Sequence, residues 1–140
     1  MADTFVLEIV TPARRLFSKE VDEMTAPGAL GEFGVLAGHT PVITTLTAGV
    51  LTYKKGAELG RIAIGKGYAE ITHTKTTILV ENAEHDTEID LSIAKDALVK
   101  AEEAMKGIDP DDPAYGPLLD SFELAEARIL VKEKGGKAGH

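Results

Sequence analysis

The residues best equipped for chemistry in this chain are four histidines, three serines and a short run of acids, and their spacing decides what they can do. His39, His73, His85 and His140 lie far apart. They lack the i, i+4 spacing and the neighbouring carboxylate that a zinc site needs, so no metal ligand set is assigned. Ser18, Ser92 and Ser121 sit in no nucleophile-elbow context, and cysteine is absent, so covalent catalysis has no nucleophile. Asp86, Glu88 and Asp90 are close enough to suggest paired carboxylates for acid–base work, but they directly precede a helical run, where capping explains them better. The sequence predicts no catalytic residues and no cofactor.

Glycines raise a second chemistry, that of a phosphate-binding loop. Gly31-Glu32-Phe33-Gly34 and Gly65-Lys66-Gly67 have neither the Walker spacing nor the strand-to-helix setting that aims backbone N–H groups at phosphate, and they read as turns. The segment from Gly31 to Pro41, with Glu32, Phe33, Gly34, Gly38 and His39, reads as one long loop entering an apolar strand. Taken alone its composition describes a wide turn; glycines also allow close approach of a partner backbone.

These residues must be positioned by two kinds of element. Up to Thr87, short aliphatic and β-branched runs at 5–10, 21–26, 42–46, 50–54, 61–64, 68–73 and 76–81 alternate with Gly, Pro and Thr about every ten residues. No helix-length segment separates them, which predicts an antiparallel β-sandwich over residues 1–87. From residue 88 to 140 the chain is rich in Ala, Leu, Glu and Lys. Asp90 is placed to cap a helix whose stripe is Leu91, Ala94, Leu98, Ala101 and Met105, and Gly107 ends it. Three prolines and three aspartates over 108–117 force a reversal. A second helix from about Pro117 to Lys134 then presents Leu118, Phe122, Ala125 and Ile129, completing a two-helix antiparallel hairpin. The end from Gly135 onward is expected to fray.

Charge narrows the partners. The net charge of −8 argues against a nucleic-acid binder, since that binding is driven by Lys and Arg displacing counterions. Residues 81–126 hold fourteen acids against three lysines, whereas Arg128, Lys132, Lys134 and Lys137 make the end basic, a tip suited to an acidic surface. No apolar run approaches the roughly 20 residues that cross a bilayer, so any membrane contact is expected to be peripheral. The opening residues carry no export or transit pattern, which predicts a protein that stays where it is made.

The run Gly31-Glu32-Phe33-Gly34, then Gly38-His39 and Pro41, followed by Thr44-Thr45-Leu46-Thr47-Ala48-Gly49, resembles the signature loop of the ε subunit of F-type ATP synthases. Phe5-Val6-Leu7-Glu8-Ile9-Val10-Thr11-Pro12 is similar to that family's first strand and turn, and Leu16-Phe17 and Gly65-Lys66-Gly67-Tyr68-Ala69-Glu70 add to the resemblance, which spans the whole chain.

The resemblance implies a non-catalytic rotor subunit of the central stalk, coupling c-ring rotation to ATP synthesis. Its sandwich would bind the γ subunit and the c-ring, with the 31–41 segment facing them. The hairpin would inhibit ATP hydrolysis when extended toward the α and β subunits, where Arg128, Lys132 and Lys134 would meet an acidic segment of β. The implied location is peripheral, on the cytoplasmic face of a bacterial inner membrane as part of F1, and the isolated chain is expected to be monomeric. Some relatives bind ATP through an Ile/Leu-Asp-x-x-Arg-Ala motif; here Ile89, Asp90 and Ala94 match, Ile93 replaces the arginine, and only weak ATP sensing, aided by Arg128, is implied. Without the resemblance, the residues also fit a free-standing ligand-binding β-sandwich with a helical dimerisation arm, which predicts a pocket and self-association.

Overall fold

Phe5, Leu7 and Ile9 are buried while Val6, Glu8 and Val10 are half-buried, and this period of two builds the first strand, β1 (Phe5–Val10). The computed structural model describes residues 3–134 and 137–138, the last two by their backbone. Eight longer strands follow: β2 (Arg15–Val21), β3 (Glu23–Gly28), β4 (Gly31–Leu36), β5 (Val42–Leu46), β6 (Gly49–Lys55), β7 (Glu58–Ile64), β8 (Gly67–Ile71) and β9 (Lys75–Val80). The two-residue β10 (Ala83–Glu84) and a 3₁₀ turn (Asp86–Glu88) lead to the helices α1 (Leu91–Met105) and α2 (Tyr115–Lys134), and Lys137–Ala138 forms a last short strand, β11.

The strands are hydrogen-bonded in the order β10-β7-β6-β3-β5-β8-β9-β1-β2, with β4 on β3 and β11 on β7. The path folds at β3. Its residues 23–25 pair with β6, whereas Gly28 alone pairs with Leu46 of β5, while β4 occupies the other edge throughout. The chain thereby closes two layers over one core, a β-sandwich followed by a helical hairpin. Every pairing is antiparallel except β1 with β9, which runs parallel from Val6↔Lys75 to Val10↔Leu79. Leu51 and Tyr53 of β6 and Ile62 and Ile64 of β7 meet Leu7, Ile9, Ala69, Ile71 and Ile78 in an aliphatic core. At Gly67 the chain passes so close to β9 that an added Cβ would strike the Leu79 carbonyl.

Three readings from the sequence need correction. The expected loop from Gly31 is a strand as far as Leu36, joined to β3 by Ala29 and Leu30 alone. Its alternation survives only at Phe33 and Val35, because glycines stand at 31 and 34. The polar run Arg15–Val21, absent from the expected strands, is an edge strand paired with β1 alone, so its outer residues meet water. The expected fraying at Gly135-Gly136 lies outside the described residues, but Lys137 and Ala138 pair with Gly60 and Leu59 of β7.

The hairpin forms for the reasons its sequence offers. Asp90 Oδ1 accepts the Ile93 N–H at 3.1 Å, capping α1. Asp109 and Asp112 bond the N–H groups of Asp111 and Ala114, and α2 starts at Tyr115, with Pro117 in its first turn. Only alanines of the α1 stripe, Ala94 and Ala101, are fully buried. Helix α2 carries two faces. Ala125 meets α1, while Ala127 and Val131 join Ala63, Ile89 and Val50 over the outer side of β6 and β7. Among the described residues, no helix is long and apolar enough to cross a membrane.

Candidate docking surfaces and the hairpin junction

Beside the β3–β4 turn, four of the residues singled out from sequence come together. Gly31, Glu32, Phe33 and His39 line a shallow hollow with Leu30 and Val42. Leu30 is fully exposed and Val42 43% exposed beside this hollow, while Leu36, at the far end of β4, is 60% exposed; no folding requirement explains these apolar surfaces. Gly38 takes φ 80°, a left-handed conformation that turns the chain, and its N–H donates to the His73 carbonyl at 2.9 Å. His73 Nδ1 lies 3.3 Å from the Gly38 carbonyl, which only accepts, so the proton sits on Nδ1 in that contact. His39 Nδ1 meets its neighbour's carbonyl, Thr40 O, at 2.6 Å. Pro41 is exposed ahead of β5.

A second surface was not visible in the sequence. Register aligns Thr45 of β5 with Tyr68 of β8 and Tyr68 with Leu79 of β9. Tyr68 is 56% exposed, Leu79 46% and Ile43 68%. They stand on the outer side of the layer opposite α2. Beside them a groove of 690 Å³ runs past Val10, Pro12 and Tyr68 to Lys66 at its rim. The signal was present as apolar residues at outward positions of alternating strands, but which positions point outward depends on register, which one sequence does not fix.

The third region joins sandwich to hairpin. Arg128 Nε donates to Glu84 Oε1 at 2.5 Å, and Lys132 Nζ donates to the Asp86 carbonyl at 3.0 Å. The residues read as a basic tip therefore sit at the hairpin's foot. The tip is the acidic turn between α1 and α2, because antiparallel helices return the end of α2 to where α1 began. Lys134 is exposed at the end of α2. Farther along, Lys66 Nζ contacts Asp120 Oδ2 at 3.0 Å; the hydrogen bond and charge of Asp120 raise the lysine's pKa. Burial raises Glu123, as do Asp120 and Glu126 beside it.

Arg14, on the β1–β2 turn, braces the connection itself. Its Nη2 lies 2.5 Å from Glu88 Oε2 and 3.4 Å from the Ala83 carbonyl. Glu88 Oε1 accepts the His85 N–H at 3.0 Å. Burial alone would raise the Glu88 pKa, but the His85 N–H and the Arg14 guanidinium outweigh it and hold the carboxyl below its usual range. The residues of the incomplete nucleotide motif are dispersed by structural duties. Ile89 is buried under α2, Asp90 caps α1, Ala94 lies between the helices and Arg128 holds Glu84.

Comparison with known proteins agrees with this architecture. Residues 4–86 match the family described as ATP synthase, Delta/Epsilon chain, beta-sandwich domain. The ATP synthase epsilon chain of Geotalea daltonii is 46% identical over 137 residues, covering 98% of this chain and 99% of the relative. That of Geobacter metallireducens is 48% identical over 134 residues, covering 96% and 97%. In fold, a chain of the Euglena gracilis mitochondrial ATP synthase OSCP/F1/c-ring assembly superposes with a TM-score of 0.75 at 22% identity, covering 94% of this chain and 82% of that one. A chain of the Tetrahymena thermophila mitochondrial ATP synthase central stalk/c-ring gives 0.59 at 16% identity, covering 96% and 98%. The match extends over nearly the full length of these relatives, and the chain belongs to the ATP synthase epsilon-chain family.

Proposed function

We propose that the chain is a non-catalytic rotor subunit of a proton-translocating ATP synthase, transmitting c-ring rotation to the catalytic head, and that its hairpin restrains ATP hydrolysis. The observation that carries this reading is the unpartnered apolar surface of Ile43, Tyr68 and Leu79 on the sheet facing away from the hairpin. A monomeric soluble domain has no use for such a patch, whereas a stalk subunit must hold γ while it turns. The hollow of Leu30 and Val42, with Glu32 and His39, would then rest on the polar loops of the c-ring.

The hairpin's attachment supports a part that detaches. Its patch on the sandwich has four buried residues, two of them alanines, against seventeen in the sandwich core among the described residues. Fully burying a Val or Ile contributes about 1.5–3 kcal/mol, so the patch and its ion pairs leave docked and released arrangements within a few kcal/mol. Once released, Arg128, Lys132 and Lys134 are free to meet an acidic segment of the β subunit. Arg128 is already engaged by Glu84 and the motif arginine is replaced by Ile93, so the latch needs no nucleotide. The work site is the cytoplasmic face of a bacterial inner membrane, reached by docking and without insertion.

The test is ATP hydrolysis by F1 particles stripped of this subunit. Adding the native chain should restore binding and lower hydrolysis, with salt relieving the inhibition. Charge reversal at Arg128, Lys132 and Lys134 together should leave binding intact and abolish inhibition. Failure to bind γ sinks the rotor reading; binding with unchanged hydrolysis sinks the regulatory one.

A further inference from the structure

The hairpin is anchored through a short connection, and one side chain in it is titratable near neutral pH. His85 lies between β10 and the 3₁₀ turn, and its ring stacks on Phe17 of β2 at 5.9 Å between centroids with an interplanar angle of 29°. Phe17 also packs on Tyr53, at 5.3 Å. The same ring already carries a cation, Lys19 Nζ lying 5.2 Å from its centroid. From the β1–β2 turn Arg14 adds a second positive charge close to His85. Of the charged groups, Glu88 acts most strongly on the ring and opposes these cations, so it is burial, with Lys19 and Arg14 behind it, that disfavours a charged imidazole. Both oxygens of Glu88 are committed, one to the His85 backbone N–H and one to Arg14, and Asp86 is a weaker influence. From α2, Lys132 holds the Asp86 carbonyl and Arg128 holds Glu84, the residue before His85, so two of the hairpin's polar anchors flank this one imidazole.

We propose that His85 makes the attachment of the hairpin pH-sensitive: the neutral ring stays stacked on Phe17, and its protonation loosens the 84–88 connection and releases the hairpin as pH falls. A charged ring would add another cation beside Lys19 and Arg14 on a surface partly shielded from water. Leaving the stack for solvent moves the backbone between Glu84 and Glu88, where α2 takes hold. The electrostatics agree in sign. Burial, aided by Lys19 and Arg14 and opposed by Glu88 and Asp86, holds the imidazole below its ordinary 6.5. Docking therefore favours the neutral form, is fully supported above that ordinary value, and weakens as pH falls through it toward the lower docked value.

The idea rests on the reading that the hairpin leaves the sandwich, so its test measures detachment and not inhibition. The chain has no cysteine, so Lys55→Cys and Glu102→Cys place two distance labels, one on β6 and one on α1. Between about pH 8 and about pH 5.5 the released fraction should rise several-fold, as expected for a group titrating in that interval. His85→Phe keeps a stacking ring without a proton site and should hold the hairpin docked at both pH values; His85→Asn should likewise remove the pH response. A released fraction that is the same at both pH values, or one that still rises in His85→Phe and His85→Asn, overturns the proposal. Release with pH that is never accompanied by inhibition of hydrolysis overturns the regulatory reading and leaves this one standing.

Discussion

Arg128 Nε and Glu84 Oε1 meet at 2.5 Å, linking the second helix to the last residue of β10 across 44 positions of sequence. Both side chains are about one quarter exposed, so the pair is shielded more than a surface ion pair and less than a core one. It marks the line between two regimes of stability. On one side an aliphatic sandwich is held by complementary packing; on the other a hairpin is held by small residues and charge.

The pair should be worth about 1 kcal/mol, the scale of ion pairs that keep some solvent. A double-mutant cycle with Glu84→Gln and Arg128→Gln, read as the fraction of chain with the hairpin docked, should return a coupling energy of that size. It should shrink as salt is raised. A coupling of zero would mean that the contact only accompanies docking.

Ala127 and Ala63 are both fully buried where α2 crosses β7. Ala127→Leu has no space to occupy there, and overpacking costs about 1–3 kcal/mol. On the proposed reading that the docked and released forms differ by only a few kcal/mol, the expected response is a detached hairpin on an intact sandwich. Label distances would lengthen while thermal unfolding of the β domain stays within a few degrees of the native chain.

Much of this architecture is legible in the sequence alone. The alternation at Phe5, Leu7 and Ile9, the Asp90 cap and the 108–117 reversal each rest on local chemistry, and local chemistry is what a sequence records. Where the reading failed, the deciding information was nonlocal. β2 owes its existence to pairing with β1, since its own residues are mostly polar. β4 hides its alternation behind glycines that β3 tolerates. The placement of Arg128 at the hairpin's foot follows from two helices returning on each other, and the exposed Tyr68–Leu79 face from a register no single strand specifies. Of the site residues named from sequence, Gly31, Glu32, Phe33 and His39 share one hollow while Gly34, Gly38 and Pro41 do not line it, and Ile89, Asp90, Ala94 and Arg128 serve separate structural ends.

Gly67 stands where an added Cβ would strike the Leu79 carbonyl on β9. Backbone cannot yield as a side-chain tip does, so Gly67→Ala must push β8 away from β9. The expected loss is roughly 2–4 kcal/mol of sandwich stability, visible as a lowered midpoint in urea. Gly116→Ala is the control, because nothing lies within 4 Å of its added Cβ.

Glu88 supplies a pH dependence of opposite origin to that of His85 but the same direction. Its carboxyl is held below the usual range once burial is outweighed by the His85 N–H and Arg14. Its stabilisation of the 84–88 turn is present above the ordinary carboxylate value and lost as pH falls through the lower folded one. Arg14→Gln removes one of those supports. In that variant the Glu88 carboxyl, followed by NMR, should titrate at higher pH than in the native chain.

The last prediction separates folding from docking on the sheet that faces away from the hairpin. Tyr68 and Leu79 are about half exposed, so the isolated chain gains little from their outer surfaces. Replacing them with Tyr68→Glu and Leu79→Lys should leave unfolding nearly unchanged, because surface substitutions clear of special contacts usually stay within about 0.5 kcal/mol. A partner that buries both side chains would instead face two charges stripped of water, and truncation at interface anchors alone commonly costs 2 kcal/mol or more. Affinity for γ should therefore fall at least about thirtyfold, by the conversion of about 1.4 kcal/mol per tenfold. Calorimetric titration of γ into native and double-variant chains would show it. Unchanged affinity in a folded variant would move the proposed γ contact off this sheet, with the hollow of Leu30 and Val42 the next surface to test.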